Sequence, residues 1–237
     1  MLARTAAIAG DFARGIAPAA SGEQLARGNA AAGELLDWFR GRLHGDAAAS
    51  RATLLGALDR EVARAGGADR DDVLANGIGF LSQAYEATAG LIGNTLVTLG
   101  RHDRARAAAA SDPDRLSAVV REVVRYDPPV QNTRRFLARD AVVAGQAMKT
   151  GDAVLVVLAA ANRDPLANPE PSSFDPLRSS REAFTFGAGA HACPGEAVAV
   201  AIATAAVHQL LAAGVKPERL AERFAYRPSA NTRVPAF

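Results

Sequence analysis

One cysteine and its neighbours carry the most chemistry in this chain. Cys193, the only cysteine among 237 residues, stands in the loop Phe184-Thr185-Phe186-Gly187-Ala188-Gly189-Ala190-His191-Ala192-Cys193-Pro194-Gly195. The apolar run that follows, through Leu211, reads as a helix and places the sulfur at or just before its first turn. Unpaired backbone N–H groups and the positive end of the helix dipole favour a thiolate there. Gly187, Gly189 and Gly195 remove bulk around the sulfur, so a large flat partner has access to the backbone. His191 is placed to reach an anionic group on such a partner. A lone thiolate on an open loop is a good axial ligand for haem iron. The competing reading is a buried structural cysteine beside a Gly-rich turn, because free cysteine is among the most buried residue types.

The spacing of Phe186, Gly187, Gly189, His191, Cys193 and Gly195 resembles the haem-binding signature of the cytochrome P450 family. The resemblance implies that Cys193 is the proximal ligand of a haem b iron and that Phe186 packs near the sulfur. It also implies that His191 bonds a haem propionate, while Gly189 and Gly195 keep the loop clear. The implied fold is mainly α with a small β-sheet.

Composition sets few limits. Net charge is +2 and apolar residues make up 49%, so nothing points to a nucleic-acid partner. A single cysteine excludes an internal disulfide and fits a reducing cytoplasm. Residues 197–215 are uncharged but rich in alanine, with Thr204, His208 and Gln209 among them, and read as a buried helix rather than a membrane span. The apolar run before Asp11 is too short for a secretory signal. The expectation is a soluble cytoplasmic protein.

The elements that must position the loop are legible in order. Residues 1–45 are helical in pattern, broken near Pro18 and Gly22, with Leu25, Leu35, Leu36, Phe39 and Leu43 on one stripe and Trp38 packed beside it. Residues 50–68 form a short amphipathic helix ending at Gly66-Gly67. A long helix capped by Asp69 or Asp71 then runs to about Gly100; apolar residues surround it almost completely, so it should be central and buried. Gly90 and Gly93 within it signal close packing or a ligand. This helix resembles the family's distal helix, where the run Ala-Gly-x-Asp/Glu-Thr is usual. Here Glu86 supplies the acid, but Ala87 stands where the alcohol belongs. Thr88 is rotated about 100° from that position. The departure favours peroxide, a substrate hydroxyl or an ordered water held by Glu86 as the remedy for a missing proton donor.

A short helix near 101–110 precedes Ser111-Asp112-Pro113, a cap with proline at the first helical position. The next helix reaches Tyr126 and carries Glu122 and Arg125 on one face. The resemblance makes these a buried structural network with Arg178. Residues 132–158 read as strands: Arg135-Phe136-Leu137, Ala141-Val142-Val143, and Ala153 to Leu158. The resemblance gives Arg135 a haem propionate, with Arg134 facing the other way, and puts Asn132 and Thr133 at the edge of the substrate pocket. Residues 216–237 read as an irregular or short-strand tail, similar to the family's last sheet, which implies a complete C-terminal end.

The likeness maps nearly all of the chain, 1–237 as one haem-thiolate domain, onto the later part of the family fold. The family's N-terminal helices and first strands have no counterpart, and exposed apolar faces should then await a second chain or a rearrangement. The implied activity is a monooxygenase hydroxylating or epoxidising a small apolar substrate, with electrons from a ferredoxin- or flavodoxin-type donor. The alternatives are a peroxide-using enzyme and a shortened, non-catalytic haem-binding or partner protein.

Overall fold

In the computed structural model the described residues are 2–17, 20–44, 53–66 and 69–237. They divide into two compact units, residues 1–85 and 86–237.

The first unit is helical. α1 (Leu2–Gly15) and α2 (Gly22–His44) are followed by α3 (Leu54–Arg64) and the leading half of α4 (Arg70–Arg101). Ser21 opens α2 as a reciprocal cap: its hydroxyl accepts the Gln24 N–H at 3.2 Å, and the Gln24 side chain accepts the Ser21 N–H at 2.8 Å. α1 and α2 meet at two glycines. A Cβ on Gly15 would lie 2.6 Å from the Gly28 Cα, so only glycines allow this approach. The core gathers Leu35, Phe39, Leu74 and Ile78. Leu25 and Trp38 are exposed, contrary to the expected stripe. Trp38 instead stands edge-on to Phe39 at 5.1 Å, with the Arg42 guanidinium over its ring. α3 starts at Thr53, whose hydroxyl accepts the Gly56 N–H at 3.1 Å. It ends before Gly66 at φ 88°. Pro18 and Gly67 lie outside the described residues.

The second unit is built on helices. The trailing half of α4 is joined by α5 (Asp103–Ser111), α6 (Pro113–Tyr126) and α8 (Glu196–Ala212), whose core includes Leu91, Leu99, Leu116, Val120, Val200 and Val207. Asp112 caps α6 by accepting the Asp114 N–H at 2.8 Å, as the sequence predicts. α4 is buried on nearly all sides only from Gly90 to Leu99; before that it buries one stripe, Val73, Leu74, Gly77 and Ile78, and leaves Gln83, Ala84, Glu86 and Ala89 exposed, so the expected all-round burial holds for its last third. Gly90 and Gly93 serve packing. Cβ atoms there would lie 2.8 Å from Pro129 and 2.9 Å from Pro235, so the missing side chains let the C-terminal segment press onto the helix.

Three antiparallel pairs complete the unit: β1 (Thr133–Phe136) with β4 (Ala153–Val156), β2 (Ala141–Val143) with β3 (Gln146–Met148), and β5 (Ala225–Tyr226) with β6 (Pro235–Ala236). The β2–β3 turn places Ala144 at φ 50° and Gly145 at φ 81°. Alanine is a poor residue for that conformation, which is why the hairpin is hard to foresee. Leu158, read as the end of a strand, begins the short helix α7 (Leu158–Ala161). The expected irregular tail contains α9 (Pro217–Glu222), with proline in its first turn. No helix among the described residues is long and apolar enough to cross a membrane.

Candidate functional site

The Cys193 loop is a fixed hook. Two single 3-10 turns, Phe184–Phe186 and Gly189–His191, fold it back so that the Cys193 N–H donates to the Phe186 carbonyl at 2.6 Å. Gly187 sits at φ 74° and Gly189 at φ 61°, a region open to glycine. At Gly187 space adds to conformation, since a Cβ would lie 2.6 Å from the His191 carbonyl oxygen. Gly195 is the N-cap of α8, so the sulfur stands two residues before that cap, just ahead of the first turn as expected. A Cβ on Gly195 would come within 3.7 Å of the sulfur. Cys193 is exposed, which removes the reading of a buried structural cysteine. Phe186 is half-buried against the helical core, while His191 points to solvent.

The base of the hook is tied down by buried side chains that the sequence reading did not single out. Asn162, fully buried, accepts the Phe184 N–H at 2.7 Å and donates to the Thr185 hydroxyl at 2.8 Å and the Val124 carbonyl at 3.3 Å. The Thr185 hydroxyl in turn donates to the same carbonyl at 2.6 Å. Asn168, also fully buried, accepts the Glu182 N–H at 3.0 Å and donates to the Glu182 carbonyl at 2.9 Å. Two asparagines in a run of alanines and prolines were the available signal, since a buried amide is kept for the bonds it makes.

Glu122 organises the segment leading into the hook. Its buried carboxylate receives Arg125 at 2.6 Å, Arg181 at 2.9 Å and Arg178 at 3.4 Å. The remaining guanidinium donors hold main-chain carbonyls: Arg125 those of Pro171 and Ser173 at 2.8 and 3.0 Å, and Arg181 that of Pro176 at 2.8 Å. The expected trio is therefore a quartet, and Arg181 is the added member. Burial pushes the Glu122 carboxyl up, but the hydrogen bonds from Arg125 and Arg181, the Arg125 charge and the Asp175 N–H outweigh it and hold it below the usual range.

The other expected site residues lie on separate elements. Glu86 is exposed on an unbroken stretch of α4, and Ala87 and Thr88 beside it are half-buried. Arg135 pairs with Val154 and Arg134 with Leu155, so the two arginines face opposite sides of the hairpin. The exposed Arg135 guanidinium turns back to the Thr133 hydroxyl at 3.0 Å and the Arg134 carbonyl at 2.8 Å. Asn132 donates to the Ala230 carbonyl at 3.0 Å. The structure thus holds Phe186, Gly187, Gly189, His191, Cys193 and Gly195 in one loop, while Arg135 lies on β1 and Glu86 to Thr88 on α4. A cleft of about 750 Å³ lies apart from the hook, lined by Arg101, His102, Arg104, Arg115 and Phe174 among others.

The donor chemistry suits one group. Among the described residues no set of three or more His, Cys, Asp or Glu side chains gathers to hold a bare ion. A single exposed sulfur on a glycine-cleared hook, with an imidazole nearby, fits iron that brings its own macrocycle. The sequence profile of cytochrome P450 matches residues 73–213.

The chain belongs to the cytochrome P450 family.

Among relatives of this cytochrome P450, a putative cytochrome P450 133B2 of Xylella fastidiosa is 32% identical over 180 residues, which is 76% of this chain and 45% of the relative. The 20-oxo-5-O-mycaminosyltylactone 23-monooxygenase of Streptomyces fradiae is 35% identical over 137 residues, 58% of this chain and 33% of that protein. The crystal structure of CalO2 superposes with a TM-score of 0.79 at 29% identity, over 99% of this chain and 59% of that one. The chain therefore spans less than half of these curated relatives and about three-fifths of the solved structure, and the part it spans is the later part of the P450 fold.

Proposed function

We propose that residues 1–237 act as the haem-thiolate part of a monooxygenase that oxidises a small apolar substrate. The exposed Cys193 on its fixed hook is the observation that carries this reading. Cys193 would hold the iron of haem b, and Phe186 would shield the sulfur. Gly189 and Gly195 would leave room for the macrocycle, and His191 and Arg135 would bond its propionates through charge-assisted contacts. When bound, haem supplies the one-electron and oxygen chemistry that no side chain provides. Support comes also from relatives named as oxidising enzymes, including the Streptomyces fradiae monooxygenase and a vitamin D(3) 25-hydroxylase of Pseudonocardia autotrophica. A ferredoxin- or flavodoxin-type protein in the cytoplasm would be the electron donor, and Ala84, Ala87 and Thr88 would border the substrate.

Ala87 favours a second reading, in which peroxide is the oxidant. On α4 this position offers no hydroxyl to pass a proton inward, and the Glu86 beside it is exposed. The expected result is that the haem-loaded protein oxidises an apolar probe faster with peroxide than with a reductase couple. Ala87→Thr should raise product per NADPH by roughly tenfold or more, the low end of what a placed proton donor contributes. Efficient NADPH-coupled turnover in the unaltered protein, unimproved by the substitution, would show that Ala87 imposes no such limit. A protein that takes up no haem would support the third reading, a shortened non-catalytic partner protein.

A further inference from the structure

The cleft of about 750 Å³ lies wholly within the second unit, between the α4–α5 junction, the start of α6 and the segment 174–177. Its wall is fixed. The Asp175 N–H donates to the Glu122 carboxylate at 3.3 Å, and Arg181 holds the Pro176 carbonyl at 2.8 Å. One side is aromatic. The His102 ring lies against Phe174 with centroids 4.6 Å apart and planes 31° from parallel, and Tyr126 backs Phe174 edge-on at 5.2 Å. Burial, and then the Arg101 charge, push the His102 imidazole below its usual range, so it presents a neutral ring at pH 7.

The charges of the lining are unevenly matched. Of its two carboxylates, Asp103 faces Arg106 at 3.0 Å, and Asp175 accepts the Leu177 N–H at 2.9 Å. Arg115 reaches Asp112 only at 3.7 Å. Neither Arg101 nor Arg104 makes an ion pair with a described carboxylate, and Arg101 lies instead over the Phe224 ring at 5.3 Å.

We infer that this cleft binds an aromatic phosphate of nucleotide size. Arg101, Arg104 and Arg115 take the phosphate, and the wall of His102 and Phe174 takes the ring. The volume lies inside the range of about 300–1,000 Å³ usual for small-molecule sites, which join apolar and aromatic walls to a few placed polar groups. A guanidinium fork bonds two phosphate oxygens at once, which suits it to this anion. Phosphate alone leaves the aromatic wall unused, and an uncharged ring leaves the arginines unanswered.

Calorimetric titration of the 237-residue chain with AMP, adenosine and inorganic phosphate tests this. AMP should bind about tenfold tighter than either of the others, and Arg104→Gln should weaken AMP by about tenfold, the loss of one charge-assisted contact. Because Arg104 is exposed, that variant should keep its melting temperature. In proton NMR the His102 ring should titrate at a higher pH with AMP bound, since the phosphate offsets the Arg101 charge. Absence of AMP binding, binding that Arg104→Gln leaves unchanged, or a His102 titration that AMP does not move would overturn the inference. So would adenosine or inorganic phosphate binding as tightly as AMP, since the cleft would then recognise ring or charge alone.

Discussion

Glu122→Gln should lower the melting temperature by about 6–20 °C. The carboxylate is the shared acceptor of three guanidinium groups, and all of it is inside. An amide of the same shape removes the one negative charge and leaves Arg125, fully buried, without a counter-charge. Removing one member of a buried ionic network costs about 3–5 kcal/mol. For a chain of this size each kcal/mol shifts the midpoint by about 2–4 °C. Arg178→Gln should cost less, because the Glu122 contact it removes is the longest of the three, at 3.4 Å. The sign of the pH dependence follows from the depressed Glu122 carboxyl. A group of this kind contributes stability that is fully present above its unfolded value, about 4.3, and is lost as pH falls through the lower folded value. Glu122→Gln should remove that part of the acid limb, which melting curves between neutral pH and strong acid will read. A midpoint within 2 °C of the unaltered protein would mean that the three arginines hold the segment through its carbonyls alone.

Asn162→Leu should act on the hook itself. Leucine is similar in size but strips the Phe184 N–H of its acceptor and removes the amide bonds to the Thr185 hydroxyl and the Val124 carbonyl. Thr185 still donates to Val124, so one new orphan, the Phe184 N–H, dominates the cost. A buried group left unsatisfied costs about 1–3 kcal/mol, and the lost amide bonds add about 1 kcal/mol. The loss should be local. Amide hydrogen exchange should speed most at 184–187 and at the Cys193 N–H, which depends on the Phe186 carbonyl, while α6 and α8 keep their protection. Uniform protection across the hook would show that its two positive-φ glycines hold the loop without the asparagine.

These two residues mark what the sequence could and could not tell. Glu122 and Arg125 were legible because three-residue spacing puts them on one helical face, and the cap at Asp112 announces that helix. Arg181 was not, since a third guanidinium contact depends on how the irregular segment 165–183 winds back. Asn162 was not legible either: the value of a buried amide depends on which backbone groups arrive beside it. Periodicity also misjudged burial where a neighbour decides it. Leu25 and Trp38 keep the helical spacing of α2 but lie exposed. α4 looked buried all round from its own composition, whereas its leading part buries only the stripe Val73, Leu74, Gly77 and Ile78. The hairpin turn at Ala144 and the helix α9 were missed for a local reason, because alanine at positive φ and a lone Lys216-Pro217 are weak signals. The hook was the most readable feature, since its glycines, cysteine and histidine are required by backbone geometry and sulfur chemistry at once.

The most direct test of the account is an absorbance spectrum of the purified chain after haem reconstitution, reduced and exposed to carbon monoxide, beside Cys193→Ser treated in the same way. The strongly red-shifted Soret band of a thiolate-ligated ferrous complex is expected for the unaltered protein and should be absent from Cys193→Ser. A haem band that is unshifted, or that survives the loss of the sulfur unchanged, would contradict the assignment of Cys193 as the iron ligand.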